Sequence, residues 1–125
     1  MEKKVILTTG IYDLIKDHIR RRKVNLEQET ILNEELKNAT QVLRKELPDD
    51  VVSVDRLIKV KELNSNVEME LTLVGPKRAK LKSNRFSILC DVGLATVGHK
   101  VGDVVKWPTN NGVKEYQILA VNPIH

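Results

Sequence analysis

The residues able to do chemistry are few and scattered. His18, His99 and His125 lie in different parts of the chain. None stands four residues from another, the spacing by which one helix face presents two imidazoles to a metal. Cys90 is the single cysteine. It follows an apolar stretch and precedes Asp91, with no base linked to it in sequence, which describes a buried thiol better than a nucleophile. One thiol closes no internal disulfide and builds no cysteine-based metal site, and it fits a reducing compartment. Gly93, Gly98 and Gly102 lack the strand-to-helix spacing of a phosphate-binding loop. The residues therefore name no catalytic group, no metal ligand and no cofactor, and no small-molecule substrate is expected.

What the chain does concentrate is positive charge. Its 21 basic and 17 acidic residues leave a net charge of +4. Lys16 and Arg20, Arg21, Arg22 and Lys23 gather with Asp17 as the nearby acid, and Lys77, Arg78, Lys80, Lys82 and Arg85 form a second run with no acid among them. Either run suits phosphates or an acidic protein surface; either is also what a solvated turn or a solubilising loop looks like. Glu27 and Glu29 are the carboxylates beyond the first run, and they equally suit the first turn of a helix, so they are weak grounds for a cation site.

The elements that hold these residues follow from length and periodicity. A chain of 125 residues has room for one ordinary domain, or a small domain with an appendage, which excludes barrels and doubly wound dehydrogenase folds. Apolar residues make up 41 % and charged residues 30 %, as in a soluble globular protein, but Tyr12, Phe86, Trp107 and Tyr116 are the only rings, so the core is aliphatic. Rings this sparse make a poor platform for stacking single-stranded nucleic acid. The opening run Val5-Ile6-Leu7 is far shorter than a signal-peptide core or a membrane span, and the expectation is a cytoplasmic protein without a membrane partner.

The period changes at Pro48. Before it, Ile11, Leu14, Ile15 and Ile19 share one helix face, with Thr8 or Thr9 as N-cap, and Leu32, Leu36, Ala39, Leu43 and Leu47 share another, with Asn25 as cap. Helices over residues 10–23 and 26–46, about 21 Å and 32 Å long, are expected to pair as an antiparallel hairpin. After Pro48 the pattern is that of strands: 51–54, 57–61, the alternating 67–73, 86–89, 104–108 and 116–121, with a short helix over 92–97. Asn111-Gly112 is expected to supply the positive φ angles of a hairpin turn. The fold class is thus α+β: residues 1–47 form a helical-hairpin arm, a short coiled coil, and residues 48–125 form an antiparallel sheet of about five strands with a short helix.

Several short strings then fall into a known order. Gly98-His99-Lys100-Val101-Gly102-Asp103 with Val104-Val105, the Trp107-Pro108 and Asn111-Gly112 hairpin, the closing Ile118-Leu119-Ala120-Val121, and the opening Leu7-Thr8-Thr9-Gly10 before Tyr12-Asp13-Leu14 together resemble the Gre transcript-cleavage and elongation factors. The layout is most similar to the Rnk branch, whose helical hairpin is shortened. The resemblance implies an FKBP-like sheet domain that docks on bacterial RNA polymerase at the rim of the secondary channel, with the hairpin pointing into it. In that family, acids at the hairpin tip help hold a magnesium ion at the polymerase active centre and promote cleavage of backtracked RNA. Here the tip, with Arg20, Arg21, Arg22, Lys23 and then Glu27, lacks the family's Asp-x-x-Glu-Asn-type motif, and a basic tip repels a divalent cation. Cys90, Asp91, Val92 and Gly93 stand where the family carries a Ser-Pro-like or Ala-Pro-like docking loop, so Asp91 replaces a proline. The expectation is a non-enzymatic, polymerase-binding regulator of elongation without cleavage stimulation. Two alternatives stay open: a nucleic-acid-binding protein making phosphate-backbone contacts through Lys77, Arg78, Lys80, Lys82 and Arg85, and an FKBP-like isomerase or chaperone, against which the shortage of pocket aromatics speaks.

Overall fold

The computed structural model describes residues 5–124. The chain divides into two compact units, Met1–Pro48 and Asp49–His125.

The first unit begins with strand β1 (Ile6–Thr8), which runs directly into helix α1 (Thr9–Arg20). Thr8 is the N-cap, its Oγ1 accepting from the Ile11 N–H at 3.4 Å. Ile11, Ile15 and Ile19 form the buried stripe. Helix α1 closes with the Lys23 N–H donating to the His18 carbonyl and the Arg22 N–H to the Ile19 carbonyl, a Schellman pairing whose left-handed position, φ 56°, falls on Arg22. Helix α2 (Leu26–Asn38) starts with a complete capping box: the Gln28 N–H donates to Asn25 Oδ1 at 2.8 Å, and the Asn25 N–H to Gln28 Oε1 at 3.1 Å.

The second helix is shorter than its periodicity predicts. It ends at Asn38 rather than at residue 46, because Ala39 turns extended and β2 (Thr40–Val42) pairs in parallel with β1 in the register Ile6↔Thr40, Leu7↔Gln41, Thr8↔Val42. The Thr40 N–H donates to the Val5 carbonyl at 2.9 Å. An edge of unpaired backbone groups on β1 thus competes with the last turns of the helix, and β-branched Thr40 and Val42 favour the strand. Of the expected stripe, Leu32 and Leu36 are buried on α2, Leu43 is exposed, and Leu47 is buried only after a 3-10 turn over Arg44–Glu46. At about 1.5 Å per residue, α1 and α2 extend about 18 Å and 20 Å.

The second unit is a five-stranded sheet in the order β5-β4-β3-β7-β6. Its strands are β3 (Arg56–Glu62), β4 (Val67–Val74), β5 (Arg85–Ser87), β6 (Val104–Thr109) and β7 (Gly112–Pro123). All neighbours are antiparallel except β5, which runs parallel to β4 because the chain loops out after Val74 and returns in the same direction. A register shift between Lys59 and Val60 marks a bulge against β7, the kind of irregularity that increases local twist. Residues 51–54 form no strand: Val51 makes a single bridge to Lys100, and Val52 exchanges hydrogen bonds with His99 and Gly98. The strand expected over 86–89 stops at Ser87, where the Cys90 N–H bonds the Ser87 carbonyl and turns the chain into α3 (Asp91–Thr96). In the β6–β7 turn the positive φ, 112°, falls on Gly112 and not on Asn111; Thr109 Oγ1 closes the turn by donating to the Gly112 carbonyl at 2.7 Å and accepting from the Asn111 N–H at 3.2 Å.

Side chains of alternate strand positions, Ile58 and Val60, Leu71 and Leu73, Val105 and Trp107, Tyr116 and Ile118, are buried together with Ile88, Leu94 and Val97. No helix among the described residues is long and apolar enough to cross a membrane.

Candidate functional site

The loop from Ile88 to Gly93 is built by close approach. A Cβ on Gly93 would lie 2.7 Å from the Ile88 carbonyl carbon and overlap its oxygen, so only glycine lets α3 seat this tightly on the strand exit. Cys90 is the N-cap of α3, its Sγ accepting from the Gly93 N–H at 3.4 Å. Asp91 is the first residue of that helix, where its charge is favoured, and its Oδ1 accepts from Nε1 of the buried Trp107 at 3.0 Å. Asp91 is therefore tied to the largest of the fully buried side chains.

This loop forms one wall of an open cleft of about 350 Å³. Met69, Phe86, Val92 and Tyr116 supply apolar surface, Cys90 and Asp91 lie beside them, and Glu62 and Lys114 line it as well. A contiguous hollow of about 320 Å³ shares Met69, Phe86, Cys90 and Val92. Three of the four docking candidates, Cys90, Asp91 and Val92, thus line the cleft, whereas Gly93 is on the buried side of α3, against the Ile88 carbonyl. Met69, Phe86 and Tyr116 were not singled out from sequence as site residues. The available signal was the alternation that places Met69 on the same strand face as Leu71 and Leu73.

Two groups of the cleft are held toward their neutral forms. Burial, then the neighbouring Glu62, Asp91 and Cys90, push the Tyr116 hydroxyl up to about 12. Burial also pushes the Cys90 thiol up, opposed by the Gly93 and Val92 backbone hydrogen bonds and reinforced by Asp91. The thiol is therefore held neutral and poorly nucleophilic.

The basic residues separate into two places, one in each unit. At the α1–α2 turn, Arg20 and Arg21 both fold back on the Asp17 carboxylate, while Arg22 and Lys23 are exposed. Glu27 is exposed in the first turn of α2. In the sheet unit, Arg78 bonds Asp55 Oδ1 at 2.7 Å, Lys77, Lys80 and Lys82 are exposed on the loop leading to β5, and Arg85 is exposed at the first position of β5. The string Gly98 to Asp103 is structural: the Gly102 N–H donates to the Ile118 carbonyl and the Ile118 N–H to the Asp103 carbonyl, while the Asp103 carboxylate approaches His99 Nδ1 at 3.5 Å and accepts from the Lys100 N–H. It fastens the entry to β6 against β7.

A curled, mainly antiparallel five-stranded sheet with a short helix over a glycine-dependent loop defines an α+β protein of the fold seen in bacterial transcript-elongation factors. Residues 47–123 match the family described as "Transcription elongation factor, GreA/GreB, C-term", and the chain belongs to that family. It is 40 % identical over 87 residues to the transcription elongation factor GreA of Clostridium botulinum strain Langeland and to that of Clostridium beijerinckii, in each case over 70 % of this chain and 54 % of the relative. The chain thus spans about half the length of these curated relatives. Among solved structures it is similar to a prokaryotic transcription elongation factor GreA/GreB from Nitrosomonas europaea, with a TM-score of 0.67 at 28 % identity, covering 97 % of this chain and 99 % of that one. It also shares its fold with Thermus aquaticus Gfh1, TM-score 0.52 at 20 % identity, covering 97 % and 99 %.

Proposed function

We propose that this chain binds bacterial RNA polymerase at the rim of the secondary channel and regulates transcription elongation without stimulating RNA cleavage, in the manner of a Gre-like factor with a shortened arm. The observation that carries the docking half is the cleft at Cys90, Asp91 and Val92, built by the domain that matches the family and walled by Met69, Phe86 and Tyr116. Apolar surface beside a carboxylate suits a protein partner better than a small ionised substrate. The arm supplies the second half: its turn exposes Arg22 and Lys23, Asp17 is paired with two arginines, α2 spans about 20 Å, and Glu27 and Glu29 follow these cations in the first turn of α2, where the helix dipole favours them.

Co-purification with bacterial RNA polymerase tests the docking. The wild-type chain is expected to be retained and to compete with a GreA protein, and Val92→Glu to weaken retention at least about tenfold, a loss of about 1.4 kcal/mol, while keeping its circular dichroism. Absence of binding and of competition overturns the proposal. A stalled-complex RNA assay tests the second half: no added cleavage is expected, and stimulated cleavage refutes it.

A further inference from the structure

The loop between β4 and β5 is an acid-free basic finger held by backbone hydrogen bonds. Pro76 opens a 3-10 turn over Pro76–Arg78, and a second 3-10 turn covers Leu81–Ser83. Lys80 and Arg85 bond each other's backbone in both directions, at 2.8 and 3.1 Å, so residues 81–84 form a closed four-residue loop. Asn84, in the left-handed conformation, anchors this loop: its Nδ2 donates to the Glu70 carbonyl at 2.9 Å, and its own carbonyl accepts from the Thr72 N–H at 3.1 Å. Arg78 is pinned to Asp55. The remaining cations, Lys77, Lys80, Lys82 and Arg85, are exposed and take part in no ion pair among the described residues; Leu81, between two lysines, is 72 % exposed.

From this arrangement we infer that the finger at residues 77–85 is a contact for the phosphate backbone of duplex nucleic acid, independent of base sequence. Four unneutralised cations stand on a frame whose backbone is already fixed by hydrogen bonds and has little order to lose on binding, and their attraction to a polyphosphate is reinforced by counterion release. Three of the four are lysines, point charges that suit phosphates at variable angles better than the planar, paired geometry of a carboxylate. An acidic protein surface would also call for an apolar contact centre, and Leu81 is the finger's one large apolar side chain. Residues 75–85 carry no aromatic ring on which a single-stranded base could stack, and their one side-chain amide, Asn84, is engaged with the Glu70 carbonyl. The inference stands apart from polymerase docking, which uses the cleft, and its test contains no polymerase.

The test is fluorescence anisotropy of the full chain with a labelled duplex of mixed sequence, titrated from about 50 to 200 mM salt. Binding is expected, with a log–log salt slope of about −3.6 for four phosphate contacts, and with equal affinity for a second duplex of unrelated sequence. The triple variant Lys80→Gln/Lys82→Gln/Arg85→Gln is expected to bind more than about tenfold more weakly at low salt and with a slope reduced by about 2.7. The variant Arg22→Gln/Lys23→Gln is expected to bind as the wild type does. Trp107 emission checks that each variant is folded. The inference is overturned by absence of duplex binding at low salt, by a triple variant that binds unchanged, by loss in the arm variant instead, by tighter binding to the single strand, or by polyglutamate competing as well as the duplex does.

Discussion

At Gly93 a single methyl group decides the packing of α3. A Cβ there overlaps the Ile88 carbonyl, which is backbone and has no rotamer to yield. Gly93→Ala is expected to cost about 3 kcal/mol in urea denaturation followed by Trp107 emission, and a loss below about 1 kcal/mol would contradict the close approach. Cys90, three residues earlier, is expected to react with a disulfide reagent more slowly at pH 8 than a free cysteine does, because burial raises its pKa; a rate equal to that of the free thiol would refute this. His18 behaves in the opposite direction. Burial and then Lys23 lower its pKa, against the pull of Asp17, so in the unfolded chain the imidazole takes up a proton at a higher pH than in the folded one. Stability from this group is complete above the ordinary pKa of about 6.5 and falls as pH drops through the lowered folded value. The pH dependence of Tm between neutral and acid is therefore expected to be shallower in His18→Gln than in the wild type, and equal slopes would remove His18 as its source.

At the scale of elements, the two arm helices differ in how far local sequence defines them. Their starts were legible: Thr8 caps α1, and Asn25 with Gln28 forms the box that opens α2. Asn25→Ala is expected to cost about 1 kcal/mol of thermal stability, and no change in Tm would show the cap to be idle. The end of α1 was not legible, because the left-handed position falls on Arg22, where glycine is the usual choice. Arg22→Gly is expected to raise stability by about 0.5 kcal/mol through relief of that backbone strain, read as a higher urea midpoint. The end of α2 misled for a different reason. Ala39, Leu43 and Leu47 continue the helical spacing, but β1 offers backbone partners that no periodicity reveals, and pairing of residues 40–42 with it removes the last two turns. In the sheet, the alternation of residues 67–73 and the turn before β7 were readable, while the parallel β5 and the bulge at Lys59 were not, since both depend on where a loop returns the chain.

At the scale of the whole molecule, the two units make different demands. Residues 49–125 contain a complete sheet, a helix and an aliphatic core around Trp107, and a fragment of this length is expected to unfold cooperatively in urea when expressed alone, with Trp107 emission as the probe. A non-cooperative transition would show that the core needs the preceding residues. The sequence alone determined the α+β class, the change of period at Pro48, the placement of the two basic runs and the resemblance to the Gre family, because each is carried by local spacing or by short strings in a fixed order. Only the tertiary structure decided which of those residues meet. It joined Met69, Phe86 and Tyr116 from three strands to the loop at Cys90, tied Asp91 to Trp107, withdrew Arg20 and Arg21 onto Asp17, and left Lys77, Lys80, Lys82 and Arg85 facing solvent. Burial and pairing are relations between distant positions, and a linear pattern carries charge and period but not the partner that neutralises the one or interrupts the other.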